Sequence, residues 1–216
     1  MTSLNLSYKK LTQLKLLGLT LWCYDIEGNV LTHSLEGVIN LDCSDNQLSS
    51  LPVLPDTLKE LDCSYNRLQT LPDLPKALKT LFCFSNRLQT LPELPKALKQ
   101  LHCHVNRLQT LPELPKRLKE LCCSNNYLPV LKELPKTLTW FECHNNPLVF
   151  IFPLPKRPRY YYGVPKNLTL LHSPENYPIY FTKYQTYRHL VSFLILETNM
   201  LPLVVNNNHF WFPNFI

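Results

Sequence analysis

Hydrophobic and polar positions follow one another in a fixed order through the middle of this chain, and from Leu41 to Leu148 that order returns every twenty residues. One turn reads Leu51-Pro52-Val53-Leu54-Pro55-Asp56-Thr57-Leu58-Lys59-Glu60-Leu61-Asp62-Cys63-Ser64-Tyr65-Asn66-Arg67-Leu68, and later turns begin at Leu71, Leu91, Leu111 and Leu131. Leu61 and Cys63, two apart, point to one side of a short strand, while Asp62 and Ser64 point to the other. Leu51, Leu54 and Leu58 fill the core from behind. Pro52 and Pro55 fix φ and remove backbone donors, which excludes a regular helix and predicts an extended, polyproline-like return.

A strand plus a thin return at this period is the mark of a leucine-rich repeat. The expected fold is therefore an α/β-type repeat solenoid, mostly β, with one parallel sheet and extended return segments. Each turn buries its apolar face only against its neighbours, so the array needs a cap at each end. Asn46, Asn66, Asn86, Asn106, Asn126 and Asn146 close successive strands and are expected to form a buried structural ladder, their amides pairing with backbone groups of adjacent turns.

Four segments follow from the phase of the pattern. Residues 1–40 read as degenerate N-terminal repeats or a cap, because Leu11, Leu14, Leu21 and Cys23 are in phase with Leu51, Leu54, Leu61 and Cys63, with Ile26 in the Asn place. The apolar stretch from Leu11 to Cys23 is explained by this phase and needs no targeting role. Residues 41–150 are the regular repeats. Residues 151–176 read as an irregular repeat in which Arg159-Tyr160-Tyr161-Tyr162-Gly163 has no counterpart. Pro165-Lys166-Asn167-Leu168 repeats the phrase Pro135-Lys136-Thr137-Leu138 at a spacing longer than the ordinary step, which implies a ten-residue insertion. Residues 177–216 read as an aromatic C-terminal cap, with Tyr184, Tyr187, Leu190, Val191 and Leu194 at helical spacing. Arg188, Glu197 and Asn199 interrupt that apolar run, making it too short and polar to span a membrane.

Composition changes this picture little. Among 216 residues, the 19 Pro belong mostly to the repeat, and 22 Lys+Arg against 16 Asp+Glu leave a mild net charge of +6. The cysteines are more informative. Cys23, Cys43, Cys63, Cys83, Cys103, Cys123 and Cys143 share one phase, and Cys122 alone is out of it. Parallel in-register Cβ vectors suit a disulfide dihedral badly, so the column reads as small buried hydrophobes. Reduced thiols in such number favour an intracellular, cytoplasmic setting, the host cytoplasm if the source is a virus or an intracellular bacterium.

Function is expected on the strand face, where side chains are free of core duties. Core positions barely change between turns, whereas this face varies. The candidate partner-binding residues are Tyr65, Phe82, Phe84, His102, His104, Trp140, Glu142 and His144, aromatic side chains being typical binding anchors. A zinc site shared among His102, His104, Cys122, Glu142 and His144 has little support, because the spacing matches no ligand motif; no metal or other cofactor is expected. Lys59, Lys79, Lys99 and Lys119 align, as do Arg67, Arg87 and Arg107, and Lys76, Lys96, Lys116, Lys136 and Lys156, so an alternative is nucleic-acid binding along a cation ladder. Asp73, Glu93, Glu113 and Glu133 stand three residues before the last column and oppose that reading. No phosphate loop or nucleophile elbow is present, and the chain is not expected to be an enzyme.

The phrase L-P-x-L-P-x-x-L-x-x-L-x-(C/V)-x-x-N-x-L, seen from Leu51 through Asn146, closely resembles the short leucine-rich repeats of bacterial secreted effectors of the invasion-plasmid-antigen and Yersinia outer-protein type. Similar Pro-rich repeats occur in proteins of giant viruses. The resemblance covers about half the chain and implies the scaffold-like branch of that family, since the ubiquitin-ligase branch continues into a large catalytic domain where here only residues 177–216 follow. The helical N-terminal cap common in that family has no counterpart in this sequence. The expected role is a module that binds a protein partner on its strand (concave) face.

Overall fold

The computed structural model describes residues 2–131, 134–148, 150–151 and 160–162, all within one compact unit that spans residues 1–164. The chain opens with β1 (Thr2–Asn5), followed by β2 (Leu11–Leu17), β3 (Thr20–Asp25) and β4 (Val30–Ser34). Next come β5 (Val38–Asp42), β6 (Glu60–Asp62), β7 (Thr80–Phe82), β8 (Gln100–His102) and β9 (Glu120–Cys122). The last four are β10 (Val130–Leu131), β11 (Trp140–Glu142), β12 (Phe150–Ile151) and β13 (Tyr160–Tyr162). No helix occurs among the described residues, and none is long and apolar enough to cross a membrane.

Eight strands make one parallel sheet in the order β1-β5-β6-β7-β8-β9-β11-β13. A constant step of twenty maps each repeat strand onto the next without slip: Glu60, Leu61 and Asp62 lie against Thr80, Leu81 and Phe82, and these against Gln100, Leu101 and His102. Pairing continues past the three-residue strands, because Cys63 N and Tyr65 N donate to Phe82 O at 2.8 Å and Phe84 O at 3.0 Å. Behind the sheet, Leu61, Leu81, Leu101, Leu121 and Phe141 form one fully buried column, and Cys63, Cys83, Cys103, Cys123 and Cys143 form a second. All eight cysteines are buried free thiols. Desolvation pushes them up, Cys23 to about 11 and Cys143 to about 12, so they pack as neutral small hydrophobes.

The return is irregular, as two prolines per turn dictate. It closes with a tight turn in which Leu78 N donates to Pro75 O at 3.0 Å, repeated at Leu98 and Pro95 at 2.9 Å. One pair of return segments becomes a small parallel sheet, in which Val130 and Leu131 pair with Phe150 and Ile151. In these two turns Lys132 and Phe152 replace the first proline of the phrase.

Three residues past the ends of β5–β9 and β11 the backbone is left-handed: Asp45, Tyr65, Ser85, Val105, Asn125 and Asn145 have φ between 50 and 53°. This corner turns the following asparagine inward. Asn106 Nδ2 donates to Cys83 O at 3.0 Å and Cys103 O at 3.1 Å, while its Oδ1 accepts from Leu88 N at 3.0 Å. The same three bonds recur at Asn66, Asn86, Asn126 and Asn146. At the N-terminal end Asn46 turns instead to the cap, donating to Leu6 O at 2.8 Å and accepting from Leu11 N at 2.8 Å.

Two expectations are corrected. The segment in phase with the repeats at Leu11, Leu14, Leu21 and Cys23 is not a worn repeat. β2, β3 and β4 form an antiparallel meander of their own, and β1 takes the place beside β5 in the main sheet. Turn chemistry decides this: Gly18, with φ 62°, sits in the two-residue loop that sets Leu17 against Thr20. Asp25 Oδ1 accepts from Glu27 N and Asn29 N at 2.9 and 2.8 Å around the second turn. The four side chains are buried all the same. Second, Tyr160–Tyr162 does have a counterpart, since Tyr160, Tyr161 and Tyr162 pair with Trp140, Phe141 and Glu142 at the ordinary step. The remainder of the irregular repeat at 163–176 and the aromatic cap at 177–216 lie outside the described residues.

Candidate functional site

Because the register never slips, strand-face residues one full step apart stand directly side by side. This brings the candidate aromatics into one cluster. Phe84 and His104 stack with ring centroids 4.4 Å apart and planes within 9°. Phe82 and His102 are 4.7 Å apart and tilted by 33°, and Tyr65 meets Phe84 edge-on at 5.1 Å. Such contacts add about 0.5–1.5 kcal/mol each to the area they bury. The two Phe and two His are half-buried by one another, and Tyr65 is more exposed at 52 %. Trp140, Glu142 and His144 lie farther along the sheet, separated from β8 by β9, with Trp140 Nε1 donating to Glu142 Oε1 at 3.0 Å.

Burial sets the electrostatics of the imidazoles. It holds His102 below the ordinary histidine range, although Glu120, with Oε2 3.7 Å from His102 Nε2, and Glu142 pull the other way. His104 is held down by burial first and then by His102. Both are therefore mainly neutral at pH 7. Among the described residues, no group of three or more His, Cys, Asp or Glu is placed to hold a metal ion. Burial pushes the Cys122 thiol up to about 12, so at neutral pH it is not an activated nucleophile.

The face is less open than alternation alone predicts. Ser44, Ser64, Cys122 and Ser124 are buried, and Ser64 is 1 % exposed because its N–H and Oγ–H both bond Asp62 Oδ1, at 2.9 and 2.6 Å. Asp42 holds Ser44 in the same way. What the sequence reading passed over is the sign of the face. Across β5–β9 and β11 its outward side chains include Asp42, Glu60, Asp62, Glu120 and Glu142, and no Lys or Arg. The cations sit elsewhere: Lys59, Lys79, Lys99 and Lys119 are exposed just before each strand, and Arg67, Arg87 and Arg107 just after each turn. Carboxylates on the face repel phosphate, and nothing in the structure favours nucleic-acid binding. An open groove of about 190 Å³ runs along the acidic end, with Asn40, Asp42, Glu60, Asp62, Thr80 and Phe82 among its lining residues.

Parallel three-residue strands, an asparagine ladder and an irregular return at a constant step define a leucine-rich-repeat solenoid. Comparison with solved structures narrows the class. The chain is similar to YopM from Yersinia enterocolitica WA-314, with 34 % identity, a TM-score of 0.57, and coverage of 59 % of this chain and 28 % of that one. It is similar to YopM from Yersinia pestis, a leucine-rich effector protein, with 35 % identity, a TM-score of 0.58, and coverage of 60 % and 36 %. To a Shigella effector leucine-rich-repeat domain it shows 30 % identity, a TM-score of 0.50, and coverage of 68 % and 72 %. The chain thus spans about a third of the YopM chains it matches and most of the Shigella domain. No family model and no curated protein matches it. The chain belongs to the leucine-rich-repeat proteins of bacterial effector type, a fold whose general use is protein–protein interaction.

Proposed function

We propose that this protein is a non-catalytic interaction module that binds a protein partner on its strand face, through Tyr65, Phe82, Phe84, His102, His104, Trp140, Glu142 and His144. The observation that carries the reading is the cluster from Tyr65 to His104. A core of nearly uniform Leu, Cys and Asn positions fixes the backbone, while aromatic and imidazole rings that the core does not require stand half-exposed at the centre of the sheet. Rigid aromatic side chains on a pre-formed surface lose little entropy on binding. Residues 41–150 are the recognition body, and residues 1–40 cap it. The buried reduced thiols support a reducing compartment such as a cytoplasm as the working environment.

The test is affinity capture with the wild type beside a Phe82→Ala, Phe84→Ala, His104→Ala variant whose melting temperature is checked first. A prey lost only in the variant supports the strand face. Identical prey sets from two folded baits refute it.

A further inference from the structure

Resting on the proposal that the strand face is the docking surface, we infer that its partner is a protein presenting an extended, Lys/Arg-rich segment to the acidic end of the face, along the groove between β5, β6 and β7. Charge complementarity points to such a partner. The chain as a whole is basic at +6, yet the outward positions of the strand face carry carboxylates and no Lys or Arg. Among the described residues the sole ion pair involving this face is the His102–Glu120 contact, so Asp42, Glu60 and Asp62 have no cation of their own. Their hydrogen bonds do not neutralise them. Asp42 accepts from Asn5 Nδ2 at 3.1 Å and from Ser44, Asp62 accepts from Ser64, and Glu60 is exposed.

Asp42 and Asp62 are paired residues on adjacent strands, which places them roughly 4.8 Å apart along the sheet. Carboxylates carried side by side on neighbouring strands repel one another, and a cation between them relieves the repulsion. Burial first, and then the neighbouring Asp42 and Asp45, raise the Asp62 carboxyl above the usual range against the Ser64 hydrogen bonds, which lower it. A guanidinium or ammonium entering the groove would bridge both oxygens, and the half-exposed Phe82 at the groove wall would cover its aliphatic stem. Thr80 and Asn40 offer further polar contacts along the same line. The Lys59, Lys79, Lys99 and Lys119 column before the strands and the Arg67, Arg87 and Arg107 column after the turns repel a basic segment elsewhere and so confine it to this strip.

A random 12-residue peptide display library, panned on the full chain at low salt, tests the inference. Wild-type protein is expected to enrich Lys and Arg at least threefold over the input library. A Glu60→Gln, Asp62→Asn variant is expected to lose that enrichment, while its fold survives because the amide oxygen at 62 still accepts from Ser64. Acidic, apolar or absent enrichment on the wild type overturns the inference, and so does basic enrichment that persists in the folded variant. Displacement of the selected peptides by a single-stranded DNA 20-mer bound directly to the protein would also overturn it in favour of phosphate recognition. The two proposals fail separately: if the capture prey depends on Phe82, Phe84 and His104 but not on Glu60 and Asp62, the face is used and its basic partner is not.

Discussion

Replacing Asn106 by alanine is the sharpest probe of what holds the stack together. The magnitude follows from counting which groups are left alone. Leu88 N has its only hydrogen bond with Asn106 Oδ1, at 3.0 Å in a buried setting, so alanine orphans that donor outright. Cys83 O and Cys103 O fare better, because each accepts from a second asparagine: Asn86 Nδ2 at 3.2 Å and Asn126 Nδ2 at 3.0 Å. One orphaned buried donor costs about 1–3 kcal/mol, and the loss of three shared bonds, the third to His104 O at 3.3 Å, which keeps Ser85 N, adds to it, giving about 2–4 kcal/mol for Asn106→Ala. Urea unfolding followed by far-ultraviolet circular dichroism measures it, with exposed Gln109→Ala as a control expected to change stability by less than about 0.5 kcal/mol. An Asn106→Ala loss no larger than the control would refute the counting. Asn106→Asp separates acceptor from donor, since the carboxylate still accepts from Leu88 N but faces the Cys83, Cys103 and His104 carbonyls, which it cannot bond. Its folded-state pKa must rise, so relative to wild type this variant is least destabilised below the ordinary carboxylate pKa and most destabilised once pH exceeds the raised value.

Other perturbations follow from the same geometry. Val105 is a β-branched residue at φ 53°, where its equivalents one and two turns later are asparagines; Val105→Asn should stabilise the protein by about 1 kcal/mol, read from the urea midpoint, and a loss of stability would contradict strain at that corner. Burial lowers the His102 and His104 pKa values, so the folded state binds protons less readily than the unfolded one. The stability they permit is complete above about pH 6.5 and lost as pH falls through the depressed values. A His102→Gln, His104→Gln variant should therefore show a smaller drop in urea midpoint between pH 7.5 and 5.5 than wild type, and equal drops would count against it. With every cysteine buried and Cys122 raised to about 12, a disulfide reagent at pH 8 should label under one thiol in minutes on the native protein and all eight after denaturation; rapid native labelling of Cys122 would argue for an exposed thiol.

The repeating body was legible because its signals agree at every level. Leu61, Cys63 and Asn66 recur at one spacing, and only a stacked coil gives all three columns the same environment. The N-terminal segment misled because Leu11, Leu14, Leu21 and Cys23 satisfy the burial spacing of a repeat equally well as a hairpin. Gly18, Gly28, left-handed at φ 85° in the turn between β3 and β4, and the missing prolines carried the deciding information, and turn chemistry outweighed phase. Tyr160–Tyr162 was hidden by residue type, since Tyr161 stands at the leucine position of the rhythm and Gly163 at the cysteine position. On the strand face, equivalence at one full step already implied that Phe82 meets His102 and Phe84 meets His104. The burial of Ser64 did not follow from alternation, because it depends on a local bond to Asp62.

Each ladder asparagine from Asn66 onward reaches back 23 positions to a carbonyl and 18 positions to an amide, both in the turn before its own. Those offsets act as a ruler. A duplication or deletion of one whole phrase leaves every bond with a partner of the same kind, whereas a seam one residue longer or shorter strands an amide and a carbonyl. The array can thus lengthen or shorten only in whole steps. Each step adds or removes one row of the variable wall without any change to the interior, so the reach of the surface can evolve by copying alone.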